Sequence, residues 1–199
     1  VFGSVEKALE FPVLRSLFNA FVHSSYDEAY YNKLASCLGL TTMVNELNIP
    51  ISWFKVRQFD LVHSMFYVLR DTNPEAPHEV CETAKNLVLN VLVKANENST
   101  EAEVLEKPFQ TIVGALVYDL SNANPIVRET AQKSLKALSE TTKVPIAKMI
   151  EKCKSILLTP IFGKPLRALP FPMQIGNIDA ITFCLGLEDS FLTFNDELN

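Results

Sequence analysis

The chain has 199 residues, 48% of them apolar and 21% charged, and carries a net charge of −5 at neutral pH. That length holds one large domain or about four to five helical repeats of roughly 40 to 47 residues. The mildly acidic balance argues against a general nucleic-acid binder, which needs excess Lys and Arg to neutralise phosphates, and no apolar run approaches the roughly 20 residues of a membrane span.

With only six glycines and apolar residues recurring every three or four positions, the pattern predicts amphipathic helices throughout. Taken in order they fall near 12–23, 27–46, 52–70, 78–96, 108–121, 125–141, 145–158 and 173–187. Pro12, Pro50, Pro108, Pro125 and Pro145 stand at or just before helix starts, where a missing N–H costs nothing. Between the last two helices lie Thr159-Pro160, Lys164-Pro165, Leu169-Pro170 and Phe171-Pro172. A residue before proline is pushed out of the α region, so 159–172 is expected to be a long irregular link. The chain opens on Val1 without a basic-then-apolar signal segment, and Phe194 to Asn199 reads as the opening of another helix. Both ends suggest a piece of a larger polypeptide.

The chain also resembles itself. A shift of 47 places Val80, Ala84, Val88 and Val91 on Val127, Ala131, Leu135 and Leu138. A weaker copy, Tyr31, Ala35, Leu38 and Thr42, lies about 49 residues upstream. Such a period marks a HEAT or armadillo array. The expected fold is all-α, a HEAT-type α-α superhelix of stacked antiparallel helix pairs, with repeats near 5–48, 51–97, 108–142 and 145–199. The small alanine lets paired helices approach, and each pair covers its apolar face with its neighbours. Phe18, Phe21, Phe54, Phe59, Phe66 and Phe109 are the expected core aromatics. Asn124 is the expected N-cap of the helix opened by Pro125. Arg128, one turn in, is placed to reach loop carbonyls or a carboxylate of the adjoining repeat.

No set of residues reads as chemistry. His23, His63 and His78 are read as ordinary surface or partly buried side chains. Cys37, Cys81, Cys153 and Cys184 contain no Cys-x-x-Cys pair, and are read as buried free thiols in a reducing compartment. Ser52-Trp53-Phe54-Lys55 matches a Ser-x-x-Lys tetrad without its companion motifs. Asn98-Ser99-Thr100 fits a glycosylation sequon and is read as a solvated loop. Phosphate-loop, dinucleotide and EF-hand patterns do not occur. The expectation is therefore a non-enzyme with no cofactor, no metal and no small-molecule substrate.

Charge is unevenly spread. Between 143 and 167 stand six basic residues, Lys143, Lys148, Lys152, Lys154, Lys164 and Arg167, against Glu151 alone, whereas 71–106 holds eight acids and two lysines. The basic stretch is the candidate partner-binding surface, suited to an acidic amphipathic segment.

Three strings carry a resemblance. They are Tyr26-Asp27-Glu28-Ala29-Tyr30-Tyr31-Asn32-Lys33 leading into Cys37-Leu38-Gly39-Leu40, then Phe66 to Thr72, then Leu169-Pro170-Phe171-Pro172 through Ile178-Asp179-Ala180-Ile181-Thr182. Together they resemble the N-terminal HEAT region of the TRRAP family, in its fungal Tra form. The resemblance implies a segment of a very large PIKK-like protein whose kinase domain, outside this chain, lacks catalytic residues. It also implies a nuclear coactivator, a subunit of SAGA-type and MYST-type histone acetyltransferase complexes. Its implied partners are acidic transcription activators and other complex subunits, without sequence-specific nucleic-acid or membrane contact. The alternative is a HEAT segment of a nuclear transport receptor or phosphatase scaffold.

Overall fold

A computed structural model describes residues 4–71 and 78–187, and every regular element among them is helical. Backbone contacts divide the chain into two compact units, Val1–Glu97 and Asn98–Asn199.

The first unit contains α1 (Val5–Leu9), α2 (Pro12–Ser24), α3 (Tyr30–Asn45), α4 (Ile51–Lys55), α5 (Gln58–Arg70) and α6 (His78–Asn96). Helices α2 and α3 form one pair and α5 and α6 the next; α2 also packs on α5, and α3 on α6. First helices thus stack on first helices and second on second, the arrangement by which a repeat covers its neighbour's stripe. Phe18, Leu40, Trp53, Phe54, Leu61, Met65, Leu69, Leu87 and Leu92 are buried between them, each contributing about 1.5–3 kcal/mol. The ring of Phe21 lies over Gly39, where a Cβ would collide with it, so α2 and α3 approach closely there. Phe59 departs from its expected place in the core: it is 37% exposed and stacks on His63 with centroids 5.7 Å apart.

The expected helix over 52–70 is broken after α4. Trp53 and Phe54 are both buried, although neighbours on a straight helix point about 100° apart. The break at Val56 and Arg57 frees the one-turn α4 from the direction of α5, and partners on two sides cover its two aromatic rings. Arg57 N donates to the Phe54 carbonyl at 2.9 Å, and its side-chain Nη1 takes the Trp53 carbonyl, also at 2.9 Å.

The second unit contains α7 (Glu101–Val104), α8 (Lys107–Asp119), α9 (Pro125–Thr142), α10 (Ile146–Ile150), α11 (Lys154–Phe162) and α12 (Phe171–Leu185). Helices α8 and α9 pair, α10 and α11 pack on α8, and α12 packs on α9. Asn124 caps α9 as expected, its Oδ1 accepting from Ile126 N at 2.9 Å. All eight residues aligned by the 47-residue shift, Val80 to Val91 and Val127 to Leu138, are buried at 1% exposure or less. The weaker copy is out of register. Tyr31 and Leu38 are 75% and 47% exposed, and the inner face of α3 is Lys33, Cys37, Leu40 and Met43. Lys33 and Cys37 lie 47 residues before Val80 and Ala84, so the first half of the copy keeps the period and begins with a lysine, whereas its later buried residues, Leu40 and Met43, sit one place before the positions that match Val88 and Val91.

Three further expectations change. The segment 145–158 is two helices joined by a 3-10 turn over Glu151–Cys153. The link 159–172 is largely helical: α11 runs through Pro160 to Phe162, a 3-10 turn covers Leu166–Ala168, and α12 starts at Phe171 with Pro172 in its first turn. Proline's own φ is helical; its cost in α11 is the hydrogen bond to the Ile156 carbonyl, on a residue 39% exposed. Lastly, Thr100 is an N-cap and not merely a solvated loop residue. Its Oγ1 accepts from Glu103 N at 3.3 Å while Glu103 Oε2 accepts from Thr100 N at 2.8 Å, a reciprocal capping box that starts α7. The helical pattern expected at 194–199 lies outside the described residues.

Candidate interaction surface

The six basic side chains of 143–167 do not act alike. Lys143 ends α9 in the left-handed conformation at φ 60° and is exposed. Lys148, on α10, pairs with Glu101 of α7. Lys152 donates to the Leu105 carbonyl at 2.7 Å. These two lysines bind the acidic segment around α7 to α10 and its following turn, so the basic and acidic stretches partly satisfy each other within the second unit. Lys154 is half-buried at the start of α11 and has a partner within the chain. Lys164 and Arg167 are exposed in the turn between α11 and α12. Around them Phe162, Leu166, Phe171 and Met173 are exposed at 45%, 39%, 71% and 41%. Within 143–167, the feature sought for a docking segment, charge beside exposed apolar surface, is found in that turn.

Arg128 behaves as its position predicts. It is 6% exposed; its Nε and Nη2 donate to Asp179 Oδ2 at 2.9 and 2.7 Å, and Nη1 donates to the carbonyls of Asn122 and Ala123 at 2.9 and 3.0 Å. One guanidinium thus ties the α8–α9 loop, the start of α9 and the middle of α12. Gly176 adds to the fit, since a Cβ there would lie 2.5 Å from the Ser121 carbonyl oxygen. The string from Leu169 to Thr182, one of the three that carry the resemblance, is thus the string that seats α12 on that loop. Beside the clasp, Pro125, Glu129, Gln132, Thr182 and Phe183 line an open cleft of about 300 Å³.

Two features of the first unit escaped sequence reasoning. Lys33 is fully buried; its Nζ bonds to Asp71, which is half exposed, and lies 5.3 Å from the Tyr30 ring centroid. Arg57 lies flat on Trp53, 3.9 Å from the indole centroid. Spacing alone did not signal it, because the helix ends between the two residues and the contact is made at that break.

Several titratable groups among the described residues are shaped by their surroundings. Tyr26 donates to or accepts from His63 Nδ1 at 3.1 Å, and burial, followed by the charge of Asp60, raises its hydroxyl above the ordinary range. All four cysteines are free and buried; burial pushes the thiols of Cys37 and Cys184 up to about 12. Such thiols are protonated and inert at neutral pH. His78 Nε2 lies 3.7 Å from Glu82 Oε1, one turn on. Among the described residues no group of three or more His, Cys, Asp or Glu side chains is placed to hold a metal, and no helix is long and apolar enough to cross a membrane.

Paired helices stacked first on first and second on second, with an Ala, Val and Leu seam repeated at 47 residues, define a HEAT-repeat segment. The family model described as the Tra1 HEAT repeat ring region matches residues 2–199. The chain belongs to that family. It is 42% identical over 193 residues, 97% of its length, to the SAGA complex/NuA4 acetyltransferase complex subunit TRA1 of Saccharomyces cerevisiae. Identity to the Schizosaccharomyces pombe subunit of the same description is 32% over 94% of the chain. The human transformation/transcription domain-associated protein is 25% identical over 98% of it. The chain spans about 5% of the length of these relatives. The transport-receptor or phosphatase-scaffold alternative gives way to this assignment.

Proposed function

We propose that this chain is a non-catalytic scaffold segment of a TRRAP-type coactivator, working in the nucleus within SAGA-type and MYST-type histone acetyltransferase assemblies. The observation that carries the reading is the family match across residues 2–199, with 42% identity to a subunit so named. The stacked pairs bury their apolar stripes against one another and offer outward faces to protein partners, namely acidic transcription activators and other complex subunits.

Within the segment, the basic stretch from Lys143 to Arg167 receives an acidic amphipathic partner. Lys164 and Arg167 do most of this, because they sit beside Phe162, Leu166 and Phe171, while Lys148 and Lys152 also serve internal partners. Opposite charge speeds the encounter and apolar side chains hold the complex. Lys143 and Lys154 contribute to the surrounding field.

The test is a titration of the chain with a labelled acidic amphipathic peptide at low salt. Lys164→Glu with Arg167→Glu should weaken binding about tenfold, and added salt should weaken the native complex as exposed charges are screened. If no saturable signal is seen with the native chain, the docking role is lost.

A further inference from the structure

We propose that the partner of the basic turn is a helix that lies parallel to α12 along its apolar outer face, with its acidic N-terminal turn beside Lys164 and Arg167. The inference rests on the docking reading above and adds the occupant's form, track and direction.

Helix α12 buries one side, made of Gly176, Asn177, Ala180 and Cys184. On the opposite side, at spacings of four and three, stand Phe171, Ile175, Ile178, Thr182 and Leu185, all exposed. The four apolar members are 71%, 37%, 49% and 50% exposed. Thr182 donates its hydroxyl to the Ile178 carbonyl at 2.9 Å, which spends its proton inside the helix and leaves the methyl group for contact. A stripe at spacings of four and three is the seam that meets a second helix. From Phe171 to Leu185 it runs about 21 Å, at 1.5 Å per residue, so a docked helix of about four turns covers it.

Charge sets the occupant and its direction. No Asp or Glu occurs from Lys152 to Ile178, a stretch that holds Lys152, Lys154, Lys164 and Arg167. Helix α12 itself carries a single charged residue, Asp179, which is bonded to Arg128. Its outer stripe is therefore neutral along its length and meets positive charge at its start, where Lys164 and Arg167 are exposed. Neither makes an ion pair among the described residues. Acidic side chains stabilise a helix at its N-terminus, where the amide dipoles present their positive end, and destabilise it at the C-terminus. An amphipathic helix thus brings acids to Lys164 and Arg167 at least cost when its own N-terminus lies there, parallel to α12.

The experiment uses the 199-residue chain and two labelled peptides of about 15 residues and identical composition, read by fluorescence anisotropy at low salt. Both carry Leu and Phe at spacings of three and four; one has three aspartates in its first turn, the other in its last. The first should bind about fivefold more tightly. Ile178→Ser with Leu185→Ser should weaken that binding about tenfold. Both side chains are half exposed, so this variant should keep its circular-dichroism spectrum and melting temperature. A proline in the middle of the peptide, which breaks a helix, should also weaken binding about tenfold. Equal binding of the two peptides overturns the direction, and binding untouched by the proline overturns the helical form. If the serine pair has no effect while Lys164→Glu with Arg167→Glu abolishes binding, the basic turn stands and this inference alone fails. Self-association of the native chain that the serine pair removes and the peptide does not reverse would place a second copy on the stripe, and also overturns it.

Discussion

In the second unit, Arg128 commits its Nε and both terminal nitrogens to Asp179 and two loop carbonyls. In the first unit Lys33, at the corresponding inner face of α3, has Asp71 and a marginal contact to the Glu28 carbonyl at 3.5 Å, while Arg15 and Arg57 make no ion pair among the described residues. A buried cation left without partners is costly, so those that a repeat encloses come with acceptors supplied by the fold. Arg15, exposed on α2, and Arg57, stacked on Trp53, are not enclosed in that way. The difference separates side chains that assemble helix pairs from side chains available to partners.

The sharpest way to break the contrast is Arg128→Ala. It strands the Asn122 and Ala123 carbonyls and removes the tie to α12, and should cost about 3 kcal/mol, discounted for the 44% exposure of the Asp179 side chain. Urea unfolding of variant and parent measures it, and a loss below about 1 kcal/mol would show that the clasp is dispensable. Gly176→Ala comes next. Its Cβ would press on the Ser121 carbonyl oxygen at 2.5 Å, and the forced shift of α12 should cost about 1–3 kcal/mol by the same assay.

Lys33→Met sharpens the other side of the comparison. The 47-residue register puts Val80 and Val127 at the corresponding places in later repeats, both buried, so an apolar side chain suits the position. Removing the buried charge frees Asp71, already 49% exposed, to return to water. Stability should change by less than about 1 kcal/mol, in either direction; a fall of 3 kcal/mol or more would mean that the ion pair itself holds α3 in place.

The smallest effect vanishes at neutral pH. Native Cys37 keeps its proton up to about 12, whereas the unfolded thiol ionises near 8.5. Between those values the unfolded chain holds fewer protons, so its stability contribution is full below the lower value and is lost as pH rises toward the upper one. Melting curves from pH 7 to 11 should fall less steeply for Cys37→Ala than for the native chain. Parallel slopes would refute the burial effect.

Helices with a clear apolar period were legible from the chain: α2, α6, α8 and α9 lie within a few residues of their expected spans. Asn124 and Arg128 were readable because a cap and a first-turn arginine have few places to reach. The breaks were not. Nothing local signals that α4 must turn to bury Trp53 and Phe54 together, since the demand comes from α2 through Phe18. Proline pairs overstated the disorder of 159–172, because φ near the helical value lets Pro160 remain inside α11. The capping box at Thr100 was visible as Thr-x-x-Glu but lay under a sequon reading. The 49-residue alignment failed because the buried face of α3 opens with Lys33, which a search for apolar residues passes over, and then drifts by one place at Leu40 and Met43.

For the candidate surface, residue count suggested one basic patch from Lys143 to Arg167. The fold divides it, because Glu101 and the Leu105 carbonyl take Lys148 and Lys152. Composition cannot tell a charge facing water from one facing an acceptor 47 residues away in the chain.

The sequence by itself determined the helical class, the 47-residue seam and the absence of any familiar catalytic motif, since these depend on local period and residue type. Only the tertiary structure decided which cations are enclosed and which stay open, because pairing depends on where distant acceptors arrive when the helices pack. Arg128 meeting Asp179, 51 residues away, and Arg57 resting on Trp53 at a break in the helix are both outcomes of that packing.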